Sequence, residues 1–134
     1  MTVTWNTATI EGQVRQAAAR AVVRATEEVR TEAIQLVLDT PKTGRVYRRR
    51  GVEHQASAPG EPPASDTGTL VGRIRTDYAR IGELVGVVRA SAAQAAHLEY
   101  GTQRIEPRPF MRPALDNKRG LLGDFMSAEV RGVF

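Results

Sequence analysis

The sequence predicts an α+β fold: a long N-terminal helix and a C-terminal helix packed on a small antiparallel sheet, with a long projecting loop. Three observations carry this expectation. Between Thr9 and Leu38 apolar residues recur at three-and-four spacing, the mark of one helical face. Between Leu70 and Ala90 the period becomes two, that of a half-buried strand. Separating them is a stretch rich in Gly, Pro and Arg that shows little hydrophobic periodicity. A length of 134 residues suits one domain, 1–134, and leaves no room for a second independent core.

The first helix is expected over about Thr9–Leu38, its stripe made by Ile10, Val14, Ala17, Ala18, Ala21, Ala25, Val29, Ala33, Leu36 and Val37. Glu11 and Arg15 stand four apart in the favourable order. Asp39-Thr40-Pro41 closes it, because proline pushes the preceding residue out of helical geometry. Such a helix is about 45 Å long. That exceeds the need of a small domain, so part of the stripe is expected to serve a neighbouring subunit. Trp5 is expected to pack the N-terminus against the body.

Thr40 to Gly68 reads as an arm. From Lys42 onward it holds three prolines and four glycines, and SAPGEPPAS favours extended backbone. Unstructured connections beyond about 12–15 residues are uncommon in compact domains and are usually functional or disordered. After the arm, Ile74, Thr76 and Tyr78 alternate with Arg73, Arg75 and Asp77, a strand expected to pair with Leu84–Arg89 across a turn near Gly82. Ser91–Tyr100 is alanine-rich and predicts a short helix, with Gly101 as its left-handed cap. Pro107 and Pro109 enforce extended chain and present Phe110 as a fixed apolar knob, more plausibly a core anchor than an intersubunit contact. Pro113 suits the first turn of one final helix, whose stripe is Met111, Leu115, Leu122, Met126 and Val130, widened by Leu121 and Phe125. Gly120 and Gly123 weaken that helix.

Composition narrows the function. The hydrophobic share, 41%, is low and only 5% is aromatic, so the core is thin and oligomerisation is an attractive source of further burial. Cysteine is absent, which excludes disulfide scaffolds, thiolate metal sites and cysteine nucleophiles. No apolar run approaches the roughly 18 residues of a membrane span. The first residues lack a signal-peptide pattern, so folding in a cytoplasm is expected. A net charge of +4 raises the question of nucleic acid. Summed by segment, the surplus is spread out, +2 each over 39–62, 70–90 and 104–131, offset by Asp66 and Glu99. One local cluster stands out: Lys42, Arg45, Arg48, Arg49 and Arg50, with Tyr47 beside it and His54 following.

Catalytic chemistry finds little support. His54 and His97 are the only histidines, and neither has a zinc-ligand spacing. Glu27, Glu28 and Glu32 are expected on the solvent side of a helix. The glycines follow neither phosphate-loop nor dinucleotide patterns. The Arg48–Arg50 run has two readings of equal weight: contact with phosphates or an acidic partner surface through planar guanidinium donors, or a solvated loop kept soluble by charge.

Taken in order, TGRVYRRR, HQASAPGEPPASDTG, a hairpin, AAHLEYGT, PRPFMRPAL and a closing helix resemble the tail-completion (head–tail joining) proteins of long-tailed double-stranded DNA phages. The pieces that carry the likeness are Leu98-Glu99-Tyr100-Gly101-Thr102, Arg108-Pro109-Phe110 and Arg112-Pro113-Ala114-Leu115. Tyr100 stands where phenylalanine is commoner in that family, and the last helix carries two glycines. The resemblance implies a structural virion protein without a cofactor that assembles with itself into a ring, usually a hexamer. That ring would lie in the neck between the head-side connector or head-closure protein and the tail tube or tail terminator. DNA would pass through its lumen without sequence-specific binding, and no membrane is involved. Assembly would occur in the host bacterial cytoplasm. In this reading Lys42, Arg45, Tyr47, Arg48, Arg49, Arg50 and His54 carry partner contacts from the arm. Glu99, Tyr100, Gly101, Thr102, Arg108, Pro109, Phe110, Arg112 and Pro113 carry motif and packing roles. Alternatives are a tail terminator or other neck ring protein and, with less support, a free-standing basic DNA-binding module.

Overall fold

A computed structural model describes residues 2–4, 6–65 and 68–134. The expectation for Trp5, and positions 66–67 of the expected arm, fall outside the described residues.

Helix α1 (Thr7–Leu38) is 32 residues, about 48 Å, and is the spine of the molecule. Asn6 caps it: its side-chain oxygen accepts the Thr9 amide at 3.1 Å. The buried positions Ala17, Ala18, Ala21, Val22, Thr26, Ala33 and Val37 follow the expected stripe, with Val22 and Thr26 added to it. So many alanines let neighbouring elements approach the helix closely.

The arm differs most from expectation. It is a β-hairpin, β1 (Val46–Arg49) with β2 (Val52–Gln55), in register Val46↔Gln55, Tyr47↔His54, Arg48↔Glu53 and Arg49↔Val52. Its two turn residues both have positive φ, Arg50 at 54° and Gly51 at 77°, as a two-residue hairpin turn requires. Neither strand has an apolar face, and Val46 and Val52 are exposed, so no hydrophobic alternation announced them. Residues 56–65 do not project. They return to the body, where the Gly60 amide donates to Pro107 O at 3.0 Å and Arg108 Nε donates to Ser57 O at 3.2 Å.

A single turn of helix, α2 (Thr69–Gly72), leads into β3 (Ile74–Asp77), which pairs antiparallel with β4 (Val87–Ala90). The strands are thus divided between two separate two-stranded sheets. Strand β4 starts three residues later than expected. The chain first makes a 3₁₀ turn at Ile81–Glu83, then Leu84 takes a left-handed conformation. Next, Gly86 passes so close to α1 that a Cβ there would overlap the Thr26 hydroxyl. Helix α3 is shorter than expected, Ala95–Tyr100, because Ser91 extends the strand pairing through its amide to Arg73 O at 3.0 Å.

The expected final helix is two: α4 (Met111–Lys118) and α5 (Leu121–Arg131). The interruption lies at Arg119–Gly120, where helical dihedrals persist and glycine lowers the propensity to continue. Both run antiparallel along α1, since Asn117 and Lys118 meet Glu32 while Glu129 meets Arg20 and Arg24. The Arg24 guanidinium lies 4.1 Å from the centre of the Phe125 ring. Among the described residues the main core cluster is Ala33, Val37, Leu70, Ile74, Ala92, Ala95, Phe110 and Ala114, in which Phe110, Ile74 and Val37 are the largest fully buried side chains, while Ala17, Ala18, Ala21 and Val22 are buried further along α1. Glu27 and Glu32, expected to face solvent, are half-buried and engaged: Glu27 accepts the Tyr78 hydroxyl at 2.5 Å, and Glu32 accepts the Asn117 amide at 3.1 Å.

Candidate functional site

The two pieces of the LEYGT and RPFMRPAL motif are joined in space by one carboxylate. Glu99, near the end of α3, accepts the amides of Phe110 (2.9 Å) and Met111 (3.0 Å) on Oε2 and of Arg112 (2.8 Å) on Oε1. These are the opening donors of α4, and the next residue, Pro113, has no amide hydrogen to satisfy. Every orphan donor in the first turn therefore has an acceptor or is absent, and a negative charge sits at the positive end of the helix.

Gly101 makes the reversal between the pieces possible. Its φ is 75° and its ψ 175°, a glycine-only conformation and not the left-handed cap expected. A Cβ there would lie 2.8 Å from Ile105 O and 2.9 Å from Pro107 Cδ. Thr102 pins the loop that follows, its hydroxyl accepting the amides of Arg104 (3.2 Å) and Ile105 (3.1 Å). The Arg108 amide then closes it on Leu98 O at 2.6 Å. Pro109 carries the chain extended into Phe110, which is fully buried and so acts as the core anchor.

This bracket forms one end of an apolar groove of about 830 Å³. Its floor is α1 (Val22, Ala25, Val29), one wall is Val85 and Val87, and the other is Leu115 and Leu122. Tyr100 stands at the end, 81% exposed, while Leu115 and Leu122 are 44% and 37% exposed. Leu115 and Leu122, expected on one apolar stripe of a final helix, face this opening. The groove itself was not legible, because residues from four distant stretches build it.

The seven arm residues divide. Lys42 turns inward: its Nζ donates to Leu36 O at 3.0 Å, where it satisfies a carbonyl at the C-terminal end of α1. Desolvation there holds its pKa below the usual lysine value, with the Glu61 charge opposing the shift. Tyr47 and His54 are a cross-strand pair with ring centres 5.6 Å apart. Arg45, Arg48, Arg49 and Arg50 are exposed. Glu61, which sequence reading did not single out, anchors the base of the arm. It accepts the Thr43 hydroxyl, the Thr43 amide (3.0 Å) and the Ala58 amide (2.8 Å). Those hydrogen bonds, the Thr43 hydroxyl first, hold its pKa below the usual carboxylate range.

Among the described residues no group of three or more His, Asp or Glu is placed to hold a metal ion. No helix there is long and apolar enough to cross a membrane. Comparison with family models, with curated proteins and with solved structures returns no match.

Proposed function

We propose that this chain is a ring-forming structural subunit at the head–tail junction of a tailed phage or phage-like particle, acting by shape and without a cofactor. The observation that carries the reading is the open apolar groove. A thin core that leaves Tyr100, Leu115 and Leu122 uncovered around one depression is a core left for a neighbour to complete. The bracket of Glu99 on Phe110, Met111 and Arg112 adds to it, because it gives the two motif pieces behind the family resemblance a common structural purpose. A second copy seated in the groove would repeat around a closed ring, where many modest contacts add to a strong joint. The ring would lie in the neck, between connector or head-closure protein and tail tube or tail terminator, with DNA passing through its lumen.

Electron micrographs of the purified protein test this directly. Rings, usually sixfold, are expected from the native chain, and L115E/L122E should give folded monomers. A native chain that stays monomeric at high concentration, or a double variant that still forms rings, would overturn the reading.

A further inference from the structure

Strand β4 has an open edge, and that edge faces the apolar groove. The β3–β4 sheet has two strands only. The Ser91 amide donates to Arg73 O at 3.0 Å, which fixes the phase of the ladder: Arg75 with Arg89 and Asp77 with Val87 are the hydrogen-bonded pairs. The amides and carbonyls of Val88 and Ala90 therefore point away from β3, and among the described residues no other strand meets them. The opposite edge of the sheet is engaged, since Arg30 Nε donates to Ile74 O at 3.0 Å. Val88 and Ala90 both line the groove, with Leu115 and Leu122 across from them. One side of the groove is thus a strand edge with unused hydrogen-bonding groups, and the other side is apolar.

A segment that suits such a groove is extended, prone to β structure and uncharged. Residues 2–5, Thr-Val-Thr-Trp, are β-branched or aromatic and alternate polar with apolar. No charged side chain precedes Glu11. Residues 2–4 lie outside every helix and strand, and Val3 is 65% exposed. The β1–β2 hairpin suits the groove less well. It carries Arg48, Arg49 and Arg50, whereas the charged residues lining the groove are three cations, Arg112, Lys118 and Arg119, against Glu99. Its Tyr47 and Arg49 also line a depression against Ser57, Leu70 and Arg108 of the body.

We infer that residues 2–6 of one copy enter the groove of a second copy as an added strand on the open edge of β4. The strand cannot come from the same copy. Strand β4 follows Gly86, which lies against Thr26, nineteen residues beyond Thr7 and so about 28 Å from the start of α1. Five extended residues reach at most about 18 Å. The contact is therefore directional, the strand of one copy to the groove of the next, which is the type that closes into rings. Backbone bonds to Val88 and Ala90 supply affinity, and Val3 seated among apolar side chains sets the register. This inference rests on the reading of the groove as the seat of a neighbour and adds which segment fills it.

The test is analytical ultracentrifugation of two variants of the full chain, alone and mixed. V3K/T4P spoils the strand and keeps the groove, while L115E/L122E spoils the groove and keeps the strand. Each alone should sediment as a monomer with native circular dichroism. Mixed in equal amounts they should form a one-to-one dimer and nothing larger, because one intact strand meets one intact groove. In the native protein, hydrogen exchange at the Val88 and Ala90 amides should slow about tenfold once about nine-tenths of the chain is assembled, since only the free tenth exchanges. Rings formed by V3K/T4P, a mixture that stays monomeric, or unchanged exchange at Val88 and Ala90 within rings would overturn the inference and leave the ring itself standing. A native chain that never assembles would overturn the ring reading and this inference together.

Discussion

The Glu99 carboxylate and the Phe110 amide, eleven residues apart, lie 2.9 Å from each other and hold two turns of the chain to a common point. The same oxygen accepts Met111, and its partner oxygen accepts Arg112. Glu99 therefore sets the direction in which α4 leaves the core, and Phe110 is buried at the point so fixed. Replacing Glu99 by Ala strands three amides at a half-buried helix start. The expected loss is about 2 kcal/mol in denaturant unfolding, at the high end for a helix cap. Glu99→Gln keeps one acceptor oxygen and should lose less. Equal stability of E99A and the native chain would show that water replaces the carboxylate at no cost.

Phe110 has no exposed surface and belongs to the main core cluster with Ile74 and Ala114. Phe110→Ala is expected to cost roughly 3–5 kcal/mol, the range for emptying a large aromatic site that collapses only in part. Thermal or denaturant unfolding measures it. Unchanged melting with lost oligomerisation would move Phe110 from the core to an intersubunit contact, the reading that its burial disfavours.

Acid should loosen the base of the arm before the core. Glu61 has a folded pKa below its ordinary value, held there first by the Thr43 hydroxyl and then by the Ala58 and Thr43 amides. A group depressed in this way contributes stability that is present above its unfolded pKa and is lost as pH falls through the folded value. Hydrogen exchange at Thr43 and Ala58 should therefore accelerate as pH falls below about 4.3, the unperturbed glutamate value, after correction for intrinsic rates. In Glu61→Gln the same amides should exchange faster at neutral pH and show no acid-dependent step. A native protein whose Thr43 and Ala58 protection is flat across that range would sever the arm from this carboxylate.

Much of the local order is written in short-range patterns. The stripe from Ile10 to Val37 made α1 readable almost to the residue, since a 3.6 period needs only neighbours on one helix. The alternation at Ile74–Asp77 made β3 readable for the same reason. Phe110 could be recognised as an anchor because flanking prolines leave its backbone few choices. Failures came where polarity hides geometry. The β1–β2 ladder buries no apolar face, so only its hydrogen bonds define it, and its Arg50-Gly51 turn lacks the usual Asn-Gly mark.

Periodicity and punctuation along the chain were enough for the α+β class, the spine helix and the anchor, because those depend on interactions between residues a few positions apart. Contacts over long separations made the remaining choices. Glu99 caps a helix that begins beyond a ten-residue loop, and Thr26 sets where β4 can start by crowding Gly86. Leu115 and Leu122 line an open groove only because α1 and β4, distant in sequence, are brought beside them by the fold. A side chain's neighbours across the fold are set by how whole elements pack, and no local pattern carries that information.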